Sequence, residues 1–186
     1  MEDIKNVGVV CNIFADVHRQ DNPVFRAYNA VLEGMYNLGL ISRTTLFENY
    51  KKGKVVRKYK KKNIIAHVGF EVFWKILAEE YAGAGALNYM ALGTGVGTPT
   101  TADTTLFTEV YRNVRAGSAV SSNVGIYTAF FTESEIDGNF KEAGNFIDGT
   151  AAADSGILFS KIQVDWVKSN LESLTVQCRY TLTNKV

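Results

Sequence analysis

Eight cations stand within twelve residues of this chain: Lys51, Lys52, Lys54, Arg57, Lys58, Lys60, Lys61 and Lys62. The whole chain has 186 residues, 20 basic and 19 acidic, for a formal charge of +1. Setting those eight aside leaves 12 basic against 19 acidic, a formal −7, so charge is strongly polarised along the sequence. Cations at this density can contact an acidic protein surface or a phosphodiester backbone. They can also keep an exposed strand edge soluble and unpaired. Only Tyr50 and Tyr59 interleave rings with them, too few for a base-stacking groove. The near-neutral total disfavours a nucleic-acid coat. The run is therefore the candidate interface, with an acidic protein partner and plain edge protection both open and nucleic acid disfavoured.

No other motif carries a reaction. The stretch Gly93-Thr94-Gly95-Val96-Gly97-Thr98-Pro99 has Thr98 where a dinucleotide fingerprint needs glycine, and no lysine for a phosphate loop. It reads as a tight loop, with Thr101 or Asp103 capping a short turn after it. There is no G-x-S-x-G, and the only imidazoles are His18, in a polar loop, and His67, at a helix start. Glu133, Glu135 and Asp137 fall in one expected turn, a solvated cluster and not the facing carboxylates of a glycosidase. Cys11 and Cys178 are far apart in sequence and read as separate buried thiols. We expect no catalytic residue, no metal, no cofactor and no enzymatic activity.

The elements follow from periodicity. Residues 6–14 read as a short strand or docking arm. Glu2 and Asp3 precede it without a long apolar run, so no signal peptide is expected. No run of ~18 apolar residues suggests a membrane helix. Asn22-Pro23 opens a helix that Gly39 ends, with Val24, Tyr28, Val31, Leu32 and Met35 in one stripe. Residues 41–50 and 54–60 read as two strands joined at Lys51-Lys52-Gly53. Phe70, Phe73, Trp74, Leu77, Ala78 and Tyr81 mark a second helix, ended by Gly83 and Gly85. Eleven of the 16 glycines then lie between Gly83 and Gly156, the turn punctuation of an all-β region. Residues 158–166 and 174–183 alternate cleanly, placing Leu158, Ile162, Val164 and Trp166 on one face and Leu174, Val176, Cys178, Tyr180 and Leu182 on another. Residues 124–131 are apolar on both faces, which suits a central strand or a subunit contact. The expected fold is mainly β: an antiparallel, jelly-roll-like β-sandwich with one or two packed α-helices on its N-terminal side. Residues 1–47 form an N-terminal arm and helix, a docking extension, and 48–186 the sandwich domain with one helix. Trp74 and Trp166 are both expected to be buried.

One string resembles a known group. Tyr89-Met90-Ala91-Leu92-Gly93-Thr94-Gly95, then Pro99, Asp103-Thr104, Leu106, Glu109 and Arg112, is similar to a segment of tailed-bacteriophage virion structural proteins, the tail-fibre-like, minor tail or capsid-surface components. Lys52-Gly53-Lys54-Val55-Val56, Asn63-Ile64-Ile65, Gly69, Glu142-Ala143-Gly144-Asn145-Phe146 and Leu174-Thr175-Val176 extend the resemblance over residues 48 to 183. It implies a non-enzymatic part of the tail, neck, fibre apparatus or capsid surface, assembled in the host cytoplasm and retained in the virion. Its implied partners are other virion proteins and further copies of itself. An alternative is a module binding host-surface carbohydrate, with Tyr81, Tyr89, Phe131 and Phe140 as stacking platforms.

Overall fold

The chain builds eight strands and three helices in a computed structural model that describes residues 7–184. Strand β1 (Val7–Arg19) is followed by α1 (Pro23–Asn37), α2 (Arg43–Tyr50), β2 (Lys54–Ile65) and α3 (His67–Leu77). Then come β3 (Leu87–Gly93), β4 (Glu109–Ser121), β5 (Val124–Phe131), β6 (Gly138–Ile147), β7 (Ile157–Lys168) and β8 (Glu172–Asn184). The part of the expected N-terminal arm before Val7, with Glu2 and Asp3, lies outside the described residues.

The strands close into one antiparallel barrel in the order β1-β2-β7-β6-β3-β4-β5-β8. This corrects the expected jelly-roll-like sandwich. Alternation of apolar and polar residues is the same in both architectures; what differs is whether strands turn corners. Two do so here. β4 pairs with β3 as far as Val114 and with β5 from Arg115 on, where the register shifts between Arg115 and Gly117. Such a bulge bends a strand and increases its twist. β2 pairs with β1 as far as Asn63 and then meets β7 at Ile64↔Lys161 and Ile65↔Ser160. Within residues 1–47, β1 is a stave of the barrel, paired with β8 on its other side.

The interior is filled by Ile13, Ala15, Val17, Phe131, Phe140, Ile162, Val164, Trp166, Leu174, Val176 and Cys178. Cys11 and Cys178 are both buried free thiols. The alternation of β8 is realised, but Leu158 departs from its expected partners. A register shift between Asn145 and Phe146 turns it outward, where it joins Ala66, Ala91, Leu106 and Phe146 in a second, outer core.

The helices depart further. Asn22 caps α1 as expected, its Oδ1 accepting from the Val24 amide at 2.9 Å. Of the expected stripe, however, only Leu32 is buried, and Val24 is 74% exposed. Residues 43–50 are α2, not a strand. Ser42 Oγ accepts from the Thr45 amide, and Leu46 and Tyr50, one turn apart, pack on Phe130 on the outside of the barrel. Eight residues with Thr44, Thr45 and Phe47 have weak helix propensity, so tertiary packing decides. In α3, Gly69 lets the backbone approach Phe159; a Cβ there would lie 2.7 Å from the Phe159 Cα. This anchors the helix by Gly69 and Val72 and leaves Trp74 63% exposed, against 2% for Trp166. The expected burial holds for Trp166 and fails for Trp74.

Candidate functional site

The structure divides the eight cations by role. Lys51 follows α2 and pairs with Glu48 one turn back. Lys52 donates to Asn49 Oδ1 at 3.2 Å. The segment is therefore a helix, a turn and a strand, and the hairpin-like partner of β2 is β1. Arg57 and Lys61 reach sideways across the seam where β2 and β7 lack backbone pairing. Arg57 Nη2 donates to the Val167 carbonyl at 3.0 Å and to Glu172, and Lys61 Nζ donates to the Gln163 carbonyl at 3.2 Å. Two cations thus close the barrel where the ladder opens. Burial pushes the Glu172 carboxyl up, but hydrogen bonds from Ser169 and Arg57 outweigh it and hold it below the ordinary carboxylate range.

The remaining four, Lys54, Lys58, Lys60 and Lys62, are exposed on the outer side of β2 and have no ion pair among the described residues. The barrel register brings Arg179 of β8 to them, because Asn12 of β1 faces both Lys62 and Arg179, and Phe14 faces both Lys60 and Gln177. The Phe14 ring lies between two cations, with Lys60 at 5.3 Å and Arg179 at 5.0 Å from its centroid. Phe14, Asp16, Lys58, Tyr59, Lys60, Gln177 and Arg179 line an open cleft of about 340 Å³. Asp16, opposite Lys58 in the ladder, is the one acid in it. The site is thus a sheet face three strands wide, and sequence reasoning missed Arg179 and Phe14 because they are distant in the chain. The available signal was outward parity in alternating strands.

The polar clusters that resemble chemistry are occupied internally. The glycine-rich loop folds over Glu142, whose carboxylate accepts from the amides of Gly95 (3.2 Å), Phe107 (2.7 Å) and Thr108 (2.6 Å). A protein carboxylate thus holds the amides that a phosphate would need. Gly93 and Gly95 permit that approach, since a Cβ on either would lie 2.5 Å from Glu142 Oε1. Lys161 completes the latch, with Asp103 at 3.1 Å, the Thr105 carbonyl at 3.1 Å and Glu142 at 3.6 Å. Asp103 accepts from the Thr100 hydroxyl and amide behind it and does not cap a turn ahead.

Glu133, Glu135 and Asp137 are not a uniformly solvated cluster. Glu135 forms a two-pronged pair with Arg43 at 2.6 and 2.7 Å and accepts from Asn113 and the Thr132 amide. Burial raises its proton affinity, but these partners, Arg43 foremost, hold its pKa below the ordinary value. This pair bolts α2 to the barrel. His18 is a buried strand residue with Nδ1 3.3 Å from the Gly53 carbonyl, and not part of a loop. His67 opens α3, exposed, as expected. Of the four aromatics, Phe131 and Phe140 are interior residues and cannot stack on a sugar, while Tyr81, which donates to Asp148 at 2.9 Å, and Tyr89, whose ring centroid lies 5.9 Å from the Arg112 guanidinium, are half-buried. Among the described residues no group of three or more His, Cys, Asp or Glu is placed to hold a metal ion, and no helix is long and apolar enough to cross a membrane.

One feature was not legible as a site. At the barrel end under α3 lies a half-open cavity of about 240 Å³ bordered by Phe70, Phe73, Tyr127, Phe159, Tyr180 and Leu182, with no charged residue in its wall. It exists because Gly125, opposite Tyr180 in the ladder, supplies no inward side chain. No family model, curated protein or solved structure matches the chain.

Proposed function

We propose that this chain is a non-enzymatic structural subunit of a tailed-phage particle, in the tail, neck, fibre apparatus or capsid surface, and that it acts through contacts with neighbouring virion proteins. The observation that carries this reading is the bare basic face: Lys58, Lys60, Lys62 and Arg179 gathered around Phe14 on a rigid three-strand platform. The resemblance of residues 48 to 183 to virion proteins supplies the setting. The partner is an acidic surface of a neighbouring subunit, matched to this face by charge. Residues 1–47 contribute a docking element through α1, whose Val24, Phe25, Tyr28 and Val31 are exposed. Contiguous apolar surface of this kind marks contact sites.

Exposed ion pairs contribute little each, about 0–1 kcal/mol, so the face supplies register and association rate more than affinity. Replacing Lys58, Lys60, Lys62 and Arg179 by Gln tests the reading, since it spares Arg57 and Lys61, which close the seam. The variant is expected to fold with unchanged thermal stability and to be depleted from assembled particles at physiological salt. Normal incorporation would overturn the interface and leave edge protection as the role of the cations.

A further inference from the structure

Helix α1 is built inside out. Asn29 and Leu32 are its buried residues. Its only two charges make their contacts on that side: Arg26 lies 3.9 Å from Glu133, and Glu33 accepts from the hydroxyls of Tyr50 and Ser134. The opposite side presents Val24, Ala27, Val31, Gly34 and Leu38 to solvent. Val24, Val31 and Leu38 are seven residues apart, and Ala27 and Gly34 stand seven apart between them. Such spacing is the seam by which one helix packs along another. Gly34 adds an independent sign. A glycine inside a helix weakens it relative to alanine, yet no packed neighbour lies within 4 Å of where its Cβ would stand. Nothing in this chain uses the missing side chain; the space above it is a hole open to a side chain from outside.

We infer that α1 is a self-association element, which pairs antiparallel with α1 of a second copy. What selects a second copy is that the seam complements itself. With the two-fold axis between Ala27 and Val31, each Ala27 faces Val31 of the second copy and each Val24 faces its Gly34. Every large residue on this stretch then meets a small one, which is the condition for close packing. A parallel pair would set large on large and leave a gap at Gly34. A two-fold contact also sets a surface against itself, so net charge there would repel. The seam and its flanks, Tyr28, Ala30, Met35 and Asn37, carry none. Arg19 and Asp21, just ahead of the helix, pair with each other at 2.9 Å.

The inference rests on the reading of the chain as an assembling subunit and names the partner of α1, but its chemistry differs from that of the basic face. The 15 residues of α1 span only about 22 Å, and a stable interface buries upwards of about 1,000 Å², so the dimer is expected to dissociate in the micromolar range. The test is sedimentation velocity of the full chain across that range. The wild type is expected to dimerise equally at ~0.1 M and ~1 M salt, whereas contact through the lysines weakens as the Debye length shortens. Gly34→Leu fills the hole and should weaken the dimer about 30-fold or more, while its circular dichroism is unchanged and its thermal midpoint is no lower than that of the wild type. A mixture of Val24→Cys and Gly34→Cys proteins treated with a short bismaleimide should crosslink to each other in preference to like with like, since the native Cys11 and Cys178 are buried. A wild type that stays monomeric throughout, a folded Gly34→Leu protein that dimerises as the wild type does, or crosslinks that favour like with like would overturn the inference. Gly34→Leu leaves the basic face intact, so that contact stands or falls separately, on incorporation of the Lys58, Lys60, Lys62 and Arg179 variant into particles.

Discussion

At one end of the barrel a buried lysine is wrapped in carbonyl oxygens; at the other a gap opposite Tyr180 is walled without a charge. Lys168, at the end of β7, donates to the Ile136 carbonyl and more distantly to those of Glu133 and Ser169, both at 3.4 Å. Beside it Glu172 ties together Arg57 and the Ser169 amide. At that end Lys168 and Glu172 are both given partners by the loops that cross it. The α3 end is finished mainly by apolar groups, several of them in water, with Ser122 and Asn123 at its margin. A barrel has no free edges, so its ends become the places where burial must be arranged. The contrast shows which end the chain closes with polar partners and which it leaves with an open apolar cavity.

The sharpest way to break this comparison is to truncate the two tryptophans. Trp166, inside the closed half, should cost roughly 3–5 kcal/mol as Ala, read as a lower denaturant midpoint. Removing the Glu172 charge should have the next largest effect. Glu172→Gln loses the Arg57 pair at the seam, about 1–3 kcal/mol at neutral pH. Because the folded-state carboxyl titrates below its ordinary value, the unfolded chain takes up the proton first as pH falls. The stabilisation is therefore full above the unfolded pKa and is lost as pH falls through the folded one. Wild type and Glu172→Gln should converge in acid denaturation series, and a constant gap down to low pH would contradict the assignment.

Lys168 gives a smaller effect in the same direction as Glu172, over an alkaline window instead of an acid one. Burial, resisted by the surrounding carboxylates, lowers its pKa from 10.5 to about 8. Between those values the unfolded chain keeps a proton that the folded chain has released, so this group makes stability rise with pH across that window. The wild type should gain stability relative to Lys168→Met between about pH 8 and about pH 10; parallel curves would mean that the ammonium is solvated. The smallest effect is at the open end. Trp74→Ala should change stability by no more than ~0.5 kcal/mol, read from the denaturant midpoint. A loss comparable with that of Trp166 would remove the distinction between the ends.

The strands that carry the closed end were legible, because 158–166 and 174–183 alternate and alternation fixes which side is inward. Closure was not, since it depends on β2 and β4 changing partners, at a two-residue junction and a bulge that leave little trace in composition. The cations were visible as a run, but their division was hidden. Arg57 and Lys61 are spent on β7, while Arg179 joins the outer face from residues far along the chain. In α1 and α3 an amphipathic stripe was read as core. Periodicity shows that a face is apolar, not whether this chain or another covers it. That ambiguity misplaced Trp74, which is exposed.

Electron cryomicroscopy of the intact particle tests the account most directly. The account predicts this barrel at a fixed position in the virion, with the face of Lys58, Lys60, Lys62 and Arg179 against an acidic surface of a neighbouring protein. Particles that lack the chain, or that hold it with this face open to solvent, would contradict it.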